Sequence, residues 1–291
     1  MQEGLIVKGY GGFYFVRANQ ELWRCRGRGR LQFQEQCLLP GDRVLFAPLE
    51  GGTGVIETIL PRKNTLRRPA IANVNQVILV FSLARPVPDL KLLDRLLVLC
   101  GIEKIDAVIC FNKVDLADKE DAADLASLYG RVGYEAILVS ALQARGLESL
   151  RQLIKNKISV LAGPSGAGKS TLLNALEPGL SLKTGQVSKK LKRGRHTTKY
   201  VELLPIAGGL VADTPGFSNL DLPRLERTEL GFYFPEVYEL SKGCRFHDCL
   251  HMREPDCAVR AALAEGLVSP ARYQNYLSML SEVLAKERIY E

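Results

Sequence analysis

A nine-residue segment, "GPSGAGKST", does most to limit the folds open to this chain. It fits the phosphate-binding pattern G-x-x-x-x-G-K-[ST], in which glycines let backbone N–H groups close around phosphate oxygens. An apolar run precedes it and a helix-forming run follows, so a chance match in a glycine-rich turn is the weaker interpretation. The nucleotide-binding residues predicted here are Gly163, Pro164, Ser165, Gly166, Ala167, Gly168, Lys169, Ser170 and Thr171.

Two side chains of this loop, and a second motif downstream, predict the chemistry at the phosphates. Lys169 is expected to reach the β- and γ-phosphates, and the Ser170 hydroxyl is expected to ligate Mg²⁺. In "VADTPG", Asp213 ends a predicted strand and can hold Mg²⁺ through water, while the N–H of Gly216 can reach a γ-phosphate. A D-x-x-G match is common in loops, so its weight comes from the preceding strand and from its spacing to the phosphate loop.

The segment "FNKVD", upstream of the phosphate loop, predicts recognition of a guanine base. Asp115 can accept hydrogen bonds from the guanine N1–H and 2-amino group, which adenine cannot offer, and such matched polar contacts reject the wrong base strongly. Asn112 can bond the base and brace the loop, and the stem of Lys113 can cover the ring. After the next strand, "SAL" places Ser140 and Ala141 where a backbone N–H can meet the guanine carbonyl. Taken alone, NKVD also fits an ordinary turn; with all four elements present, guanine specificity is the better interpretation.

The order of these four elements is unusual. They run NKxD, SAx, phosphate loop and D-x-x-G, each at a predicted strand end, whereas NKxD usually lies downstream of the phosphate loop. From residue 74 onward strands alternate with helices, which predicts a mostly parallel α/β sheet. We interpret the order as a circular permutation, because sheet packing depends on where strands lie more than on where the chain is cut.

The N-terminal region, residues 1–68, predicts a small all-β barrel of the OB type. Five short segments rich in β-branched and aromatic residues are separated by glycine and proline turns, and "LPRKNTLRRPA" is expected to be a linker. The region holds eleven Lys/Arg and six Asp/Glu, a balance of +5. Arg24, Arg26, Arg28 and Arg30 alternate and would share one face of a strand, where we favour RNA contact over a merely solvated face. For the nearby aromatic residues we favour a place in the core.

A cysteine and histidine cluster marks the region after residue 222. Three thiolates from Cys244, Cys249 and Cys257 with one imidazole suit a closed tetrahedral zinc site. Both His247 and His251 are candidates for the fourth ligand. Buried free thiols are the alternative, but this short helix-prone segment has little core of its own, so we expect metal to hold it together.

The combination resembles the RsgA family, also called YjeQ or YloQ, which comprises bacterial circularly permuted GTPases that act on the small ribosomal subunit. The resemblance covers essentially the whole chain and is carried by "KGYGGFYFV", "LPRKNTLRRP", "NVNQV", "FNKVD", "GPSGAGKST", "GRHTT", "DTPGF" and the cysteine cluster.

The resemblance implies an OB-type RNA-binding barrel (1–68), a circularly permuted GTPase domain (69–222) and a helical zinc-binding domain (223–291). It also implies GTP hydrolysis stimulated by the small (30S) subunit, a role in late maturation of that subunit, and contact with its rRNA. The family pattern selects His251 as the fourth zinc ligand. It places a threonine of the basic segment 183–199 on Mg²⁺, either Thr197 or Thr198, and we assign Thr198.

One position departs from the usual GTPase pattern. Many GTPases orient the attacking water with a glutamine just after D-x-x-G, where this chain has Phe217. We therefore expect slow intrinsic hydrolysis, completed by a side chain from elsewhere or by the partner. His196 is a candidate, although a histidine in a basic loop is more often only a phosphate contact.

The remaining features of the sequence agree with a cytoplasmic protein. No apolar run approaches a membrane span, no secretion signal begins the chain, and seven cysteines fit a reducing compartment better than a disulfide framework. The net charge of +7 favours a polyanionic partner. We expect a monomer that binds GTP and GDP with Mg²⁺ and carries one structural Zn²⁺. Two alternatives are an enzyme that phosphorylates a small molecule, which would lack the NKxD and SAx pair, and a GTP-binding RNA module without turnover.

Overall fold

The computed structural model describes residues 1–29, 37–67, 69–180, 201–213 and 221–289. Its first five strands are β1 (Gln2–Tyr10), β2 (Phe13–Ala18), β3 (Glu21–Gly27), β4 (Arg43–Leu49) and β5 (Thr53–Ile59). They form a closed barrel in the order β1-β2-β3-β5-β4, in which only the β3–β5 pair is parallel. Alternate side chains such as Ile6, Val16 and Phe46 fill the barrel, as the period-two pattern of its strands requires. The predicted OB-type barrel is confirmed.

The segment expected to be a linker contains a short antiparallel pair, β6 (Thr65–Arg67) and β7 (Ala70–Ala72). Two asparagines flank the pair and close it. The Asn64 side chain bonds both the N–H and the carbonyl of Val74, at 2.9 and 2.8 Å, and Asn73 Oδ1 accepts from Lys63 N at 2.8 Å. Because amide side chains here replace missing main-chain partners, a segment rich in proline and basic residues still forms regular structure.

A six-stranded sheet forms the centre of the molecule. Its strands are β8 (Gln76–Ser82), β9 (Asp106–Asn112), β10 (Glu135–Val139), β11 (Ile158–Ala162), β12 (Leu203–Ile206) and β13 (Gly209–Asp213). Their order is β10-β9-β8-β11-β13-β12, and every pair is parallel except β12–β13. All seven residues of β8 are buried, as expected for a strand covered on both faces. The predicted α/β sheet is therefore confirmed.

The helices of the described residues are α1 (Leu90–Ile102), α2 (Lys119–Arg131), α3 (Leu147–Ile154), α4 (Lys169–Leu176), α5 (Pro235–Ser241), α6 (Ala258–Ala264) and α7 (Pro270–Ile289). The side chain of Asp89 caps α1 by accepting from Leu92 N at 3.0 Å, and Asp118 caps α2 in the same way. In the described part of the chain, no helix is long and apolar enough to cross a membrane.

The two faces of the sheet are buried in different cores. One core takes Leu79 and Phe81 of β8 together with side chains of α1, and the other takes Ile78 and Val80 together with side chains of α3 and α4. The first core extends into the C-terminal helices, where it includes Met279. The predicted domain boundaries at residues 68/69 and 222/223 stay predictions. At 222/223 the sheet and the C-terminal helices share one continuous core.

Candidate nucleotide-binding and metal sites

The predicted nucleotide-binding elements follow the carboxyl ends of parallel strands in one sheet. NKVD follows β9, SAL follows β10, the phosphate loop follows β11, and Asp213 is the last residue of β13, where it pairs with Leu161. The carboxyl ends of neighbouring parallel strands meet at one edge, which is where ligands bind in open α/β sheets. The permuted order along the chain therefore gives one contiguous edge in space.

The phosphate loop contains two positions that only glycine fits. Gly163 has φ +135°, and a Cβ there would lie 2.1 Å from the carbonyl oxygen of Val80. Gly168 has φ +92°, and a Cβ there would lie 2.5 Å from Nδ2 of Asn112. Both positions combine a left-handed backbone with close contact to a neighbouring strand end, so the glycines set how tightly the loop packs on the sheet.

Lys169 begins α4, and its ammonium group folds back over the phosphate loop. Its Nζ donates to the carbonyl oxygens of Gly163 at 2.7 Å and Pro164 at 2.9 Å. Ser170 is half-buried in the first helical turn. The loop thus places a cation, a hydroxyl and the positive end of a helix together, which is the combination that a phosphate chain with Mg²⁺ requires. The remaining predicted loop residues occupy the tip and flanks: Ser165 and Gly166 are exposed, Ala167 is buried, and Thr171 is half-buried.

Asn112 joins the base-recognition elements to the phosphate loop. Its Nδ2 donates to the carbonyl of Ala167 at 2.9 Å, and its Oδ1 accepts from the N–H of Ala141 at 3.3 Å. The side chain is 2% exposed. Ser140 is also buried, and its Oγ accepts from Gln143 N at 3.1 Å, which fixes the turn after β10. One amide therefore holds three separate loops in register.

Lys113 and Asp115 lie at the mouth of the same edge. Lys113 adopts a left-handed backbone with φ 64°, and its Nζ donates to the carbonyls of Gly166 at 2.7 Å and Arg85 at 2.5 Å. Asp115 follows in a 3-10 turn and is half-exposed. The carboxylate is thus available to solvent beside a lysine that is tied to the phosphate loop.

Sequence reasoning missed the loop after β8, residues 83–89. Leu83 N donates to the carbonyl of Asn112 at 2.9 Å, the Arg85 carbonyl accepts from Lys113, and Pro86 lies against Gly166. This loop therefore forms a further wall of the site. The available signal was its position, because "LARPVPD" directly follows the buried strand β8 at the same sheet edge.

Two predicted site residues, Thr198 and Gly216, lie outside the described residues, as do Thr197, His196 and Phe217. Their roles at Mg²⁺ and at the γ-phosphate stay predictions.

The structure brings four cysteine and histidine side chains into one cluster. Cys244, Cys249, His251 and Cys257 offer ligand atoms that all lie within 4.8 Å of one another. His251 Nδ1 lies 3.6 Å from Cys244 Sγ and 3.4 Å from Cys257 Sγ, and those two sulfurs are 3.9 Å apart. Tetrahedral zinc with N and S ligands implies ligand separations of about 3.3–3.8 Å. The four side chains therefore fit a zinc ion.

The alternative ligand, His247, is exposed and is not part of this cluster, whereas His251 is 3% exposed. Burial lowers the pKa of His251 and raises that of Cys249 to about 12. A buried imidazole that stays neutral has a lone pair available for a metal, and the metal itself supplies the charge that stabilises the thiolates.

Residues around the cluster hold the backbone of its ligand loop. The carboxylate of Glu254 accepts from the N–H groups of Leu250, Met252 and Arg253 at 2.8 to 2.9 Å. These hydrogen bonds surround His251, whose φ of 59° is left-handed. The loop that presents the imidazole is therefore fixed by Glu254, a side chain that is not itself one of the four predicted ligands.

Comparison with known proteins agrees with this geometry. The family model described as RsgA GTPase matches residues 59–223, and the RsgA N-terminal domain model matches residues 3–56. The chain is 52% identical over 289 residues to the small ribosomal subunit biogenesis GTPase RsgA of Moorella thermoacetica, covering 99% of both chains. It is 49% identical over 291 residues to the protein of that name from Geobacillus thermodenitrificans, again covering 99% of both.

Two solved structures are similar over almost the whole chain. The structure described as YloQ, a circularly permuted GTPase, has a TM-score of 0.82 at 38% identity and covers 98% of this chain and 96% of its own. The structure of YjeQ from Thermotoga maritima has a TM-score of 0.84 at 38% identity and covers 97% and 98%.

Proposed function

Because the chain belongs to the RsgA family, we propose that it is a GTPase that binds the small ribosomal subunit and assists the late maturation of that subunit. The observation that supports guanine-nucleotide binding most directly is the pair of hydrogen bonds made by Asn112, which join the base-recognition turn to the phosphate loop. These bonds join base-recognition and phosphate-binding elements that are 55 residues apart in the sequence.

In this proposal each element of the sheet edge has one task. Asp115 accepts from the guanine N1–H and 2-amino group, and the stem of Lys113 covers the ring. Backbone N–H groups of residues 163–171, with Lys169, bind the phosphates. Ser170 and Thr198 hold Mg²⁺, which neutralises charge on the phosphate oxygens when it is bound. Asp213 holds Mg²⁺ through water, and the N–H of Gly216 bonds the γ-phosphate.

Turnover in the presence of ribosomal subunits tests the proposed function. With Phe217 at the position that a glutamine usually occupies, we expect slow hydrolysis by the free protein and a rise of about tenfold or more with small subunits. Large subunits serve as the control and should leave the rate unchanged. GTP binding without turnover in any of these conditions would instead favour a GTP-binding RNA module.

The base specificity is tested by Asp115→Asn. We expect GTP affinity to fall by about a hundredfold or more, because the new amide no longer accepts both guanine N–H groups, while affinity for xanthosine triphosphate should rise. Asp124→Asn, an exposed aspartate on the following helix, is the matched control. ATP competing as well as GTP for the wild-type protein would contradict the assignment.

We further propose that the barrel contacts rRNA through exposed arginines on β3. Arg24 and Arg26 place their guanidinium carbons 3.8 and 4.5 Å from the centroid of the Phe13 ring, which leaves both cations stacked at the surface. Arg28 instead pairs with Glu57, and Arg30 lies outside the described residues. Trp23 packs against Phe46, with ring centroids 5.7 Å apart, and Tyr14 packs against the same core, as expected, whereas Phe13 lies beneath the two arginines.

Substituting Arg24→Gln and Arg26→Gln together should weaken binding to small subunits and reduce the slope of affinity against salt by about one to two. Arg43→Gln on β4, whose guanidinium already pairs with Glu3 at 2.6 Å, is the control. An unchanged salt slope would show that β3 does not touch RNA phosphates.

A monomeric state and a cytoplasmic location complete the proposal. Light scattering should give a mass near 32.2 kDa with and without nucleotide. Cell fractionation should place the protein with the soluble ribosome-containing fraction.

A further inference from the structure

The last helix, α7, makes hydrogen bonds in two directions. Tyr273 Oη donates to the carbonyl of His251 at 2.5 Å, and Tyr276 Oη donates to the carbonyl of Leu250 at 3.1 Å. On the other side, Arg272 Nη1 donates to Asp94 Oδ1 at 2.5 Å and Asn275 Nδ2 donates to Asp94 Oδ2 at 2.7 Å. Adjacent residues of one helix thus hold the ligand loop of the metal site and a carboxylate of α1.

Asp94 depends on α7 for its partners. The residue is 1% exposed, and its carboxylate accepts from the hydroxyl of Tyr129, at 3.0 Å, and from Arg272 and Asn275 of α7. Arg272 also donates to both oxygens of Glu236 on α5, at 2.5 and 3.0 Å. A buried carboxylate that loses its donors is strongly destabilised. Displacement of α7 would therefore destabilise α1 at Asp94.

Helix α1 continues this connection to the guanine-binding edge. Its N-cap, Asp89, ends the loop 83–89, and Asp94 lies just beyond the first helical turn. The same loop gives the Arg85 carbonyl to Lys113 and packs Pro86 against Gly166. A shift of α1 therefore moves a wall of the nucleotide site directly.

We propose that Asp94 and Arg272 are positioning residues that couple the metal centre to the guanine-nucleotide site, so that zinc raises the affinity for GDP and GDP raises the affinity for zinc. The proposal rests on the proposed nucleotide binding. Metal fixes the ligand loop, whose two carbonyls receive the tyrosines of α7; α7 then supplies Asp94 with its donors, and α1 holds the loop against Lys113. By linkage, the two ligands must change each other's affinity by the same factor.

The experiment measures both directions of this coupling in the full-length zinc-loaded protein. The first readout is the zinc dissociation constant, measured by competition with a chromogenic chelator, with and without saturating GDP. The second is the GDP dissociation constant before and after zinc removal. We expect wild-type protein to show a coupling factor of about five or more in both directions. Tyr273→Phe, which removes only the bond to the His251 carbonyl, and Asn275→Ala, which removes only a bond to Asp94, should each reduce it.

Arg272→Met should bring the coupling factor to about one. Arg227→Met is the matched control, because Arg227 also pairs with α7, through Glu287 at 2.8 Å, but it is half-exposed and does not bond Asp94. It should keep the wild-type factor. If Arg272→Met does not fold, Tyr273→Phe and Asn275→Ala together decide the question.

Two results would overturn the inference: a zinc affinity that does not depend on GDP in the wild type, or a coupling factor that Tyr273→Phe and Asn275→Ala leave unchanged. Failure of the wild-type protein to bind GDP at all would instead overturn the proposed function, so the two failures are distinguishable.

Discussion

The barrel and the C-terminal helices are joined to the central sheet by contacts of opposite character. At its edge the barrel meets the sheet through a β-bridge between Lys8 and Glu202, whose side chains form a 2.8 Å ion pair that is 36% and 48% exposed. The C-terminal helices are tied to helix α1 of the sheet domain through Arg272, which is 2% exposed and bonds Asp94 of α1 as well as Glu236 of α5. The ion pair at the edge of the barrel junction is exposed to solvent. The charged groups at the centre of the C-terminal junction are buried.

The barrel junction also borders a pocket that is partly open to solvent. A cavity of about 700 Å³ lies between barrel residues, among them Leu5 and Arg17, and the amino ends of the sheet strands near Lys157 and Gly209. Apolar contact is present too, because Val7 of β1 belongs to the large core. The C-terminal junction instead has Phe234 and Tyr276 in edge-to-face contact, with centroids 5.4 Å apart, beside Arg272.

Because of this difference, we expect the barrel and the C-terminal helices to respond differently to changes at the nucleotide site. Exposed ion pairs contribute little and can be remade in a new geometry, whereas a buried charge cluster permits one arrangement and resists others. We therefore expect the barrel to adjust its position at low energetic cost, and the C-terminal helices to move with the sheet as one body.

The largest effect is expected from loss of a zinc ligand. Cys257→Ser should abolish zinc binding and unfold the C-terminal region, because binding energy on the order of 10 kcal/mol is folding energy in such sites. Zinc content and limited proteolysis with mass spectrometry measure this, with cleavage expected after residue 222 and an intact barrel. Cys37→Ser, at an exposed cysteine outside the cluster, is the control. A zinc-free protein with an undigested C-terminal region would contradict it.

The next effect in size is that of Arg272→Met, which should lower the free energy of unfolding by about 3–5 kcal/mol because it leaves two buried carboxylates without their cation. Urea unfolding measures the loss, and Arg227→Met, at a pair whose side chains are 51% and 20% exposed, should cost less than about 1 kcal/mol. Equal losses of unfolding free energy in the two variants would show that the buried Arg272 cluster is no stronger than the Arg227–Glu287 pair.

The pH dependence sharpens the same test. Burial raises the pKa of Asp94, and Arg272 opposes that rise. Without the guanidinium, the folded-state pKa of Asp94 rises further above its unfolded value, so the variant is least destabilised where Asp94 is protonated. The stability difference from wild type should therefore shrink as the pH falls from 8 toward 5. A difference that is constant over this range would mean that Asp94 keeps its charge without Arg272.

The smallest effect belongs to the barrel junction. Lys8→Met should cost about 0–1 kcal/mol, because the ion pair with Glu202 is exposed and the backbone bridge remains. A double-mutant cycle with Glu202→Gln measures the pairwise energy. A coupling above about 2 kcal/mol would place the barrel junction in the same class as the C-terminal one and remove the contrast.

The features that the sequence predicted are those encoded by short local patterns. Gly163, Gly168 and Lys169 lie within one loop, and Cys244 to Cys257 span fourteen residues, so spacing alone indicated their chemistry. Alternation of apolar segments indicated the barrel and the parallel sheet. The predicted linker was the exception, because the bonds that Asn64 and Asn73 make to nearby backbone groups have no compositional signature.

The contacts that join the C-terminal helices to α1 have no such local pattern in the sequence. Asp94 and Arg272 are 178 residues apart, and each reads in isolation as an ordinary charged residue on a helix. Burial and pairing of this kind depend on the docking of whole elements, which local propensity does not determine. The contact of Arg85 with Lys113 was missed for the same reason, since it uses a backbone carbonyl that any residue provides.

The strand order of the sheet has a consequence for synthesis of the protein. Strands β8, β9 and β10 are neighbours in space and consecutive in the chain, and the remaining three strands are added on one side of β8. Because chains fold from the N-terminus as they emerge during translation, the half that carries NKVD can assemble before the phosphate loop exists. In the proposed site, the nascent chain would therefore form the base-recognition turn first, and the phosphate-binding side would be complete only after β13 has left the ribosome.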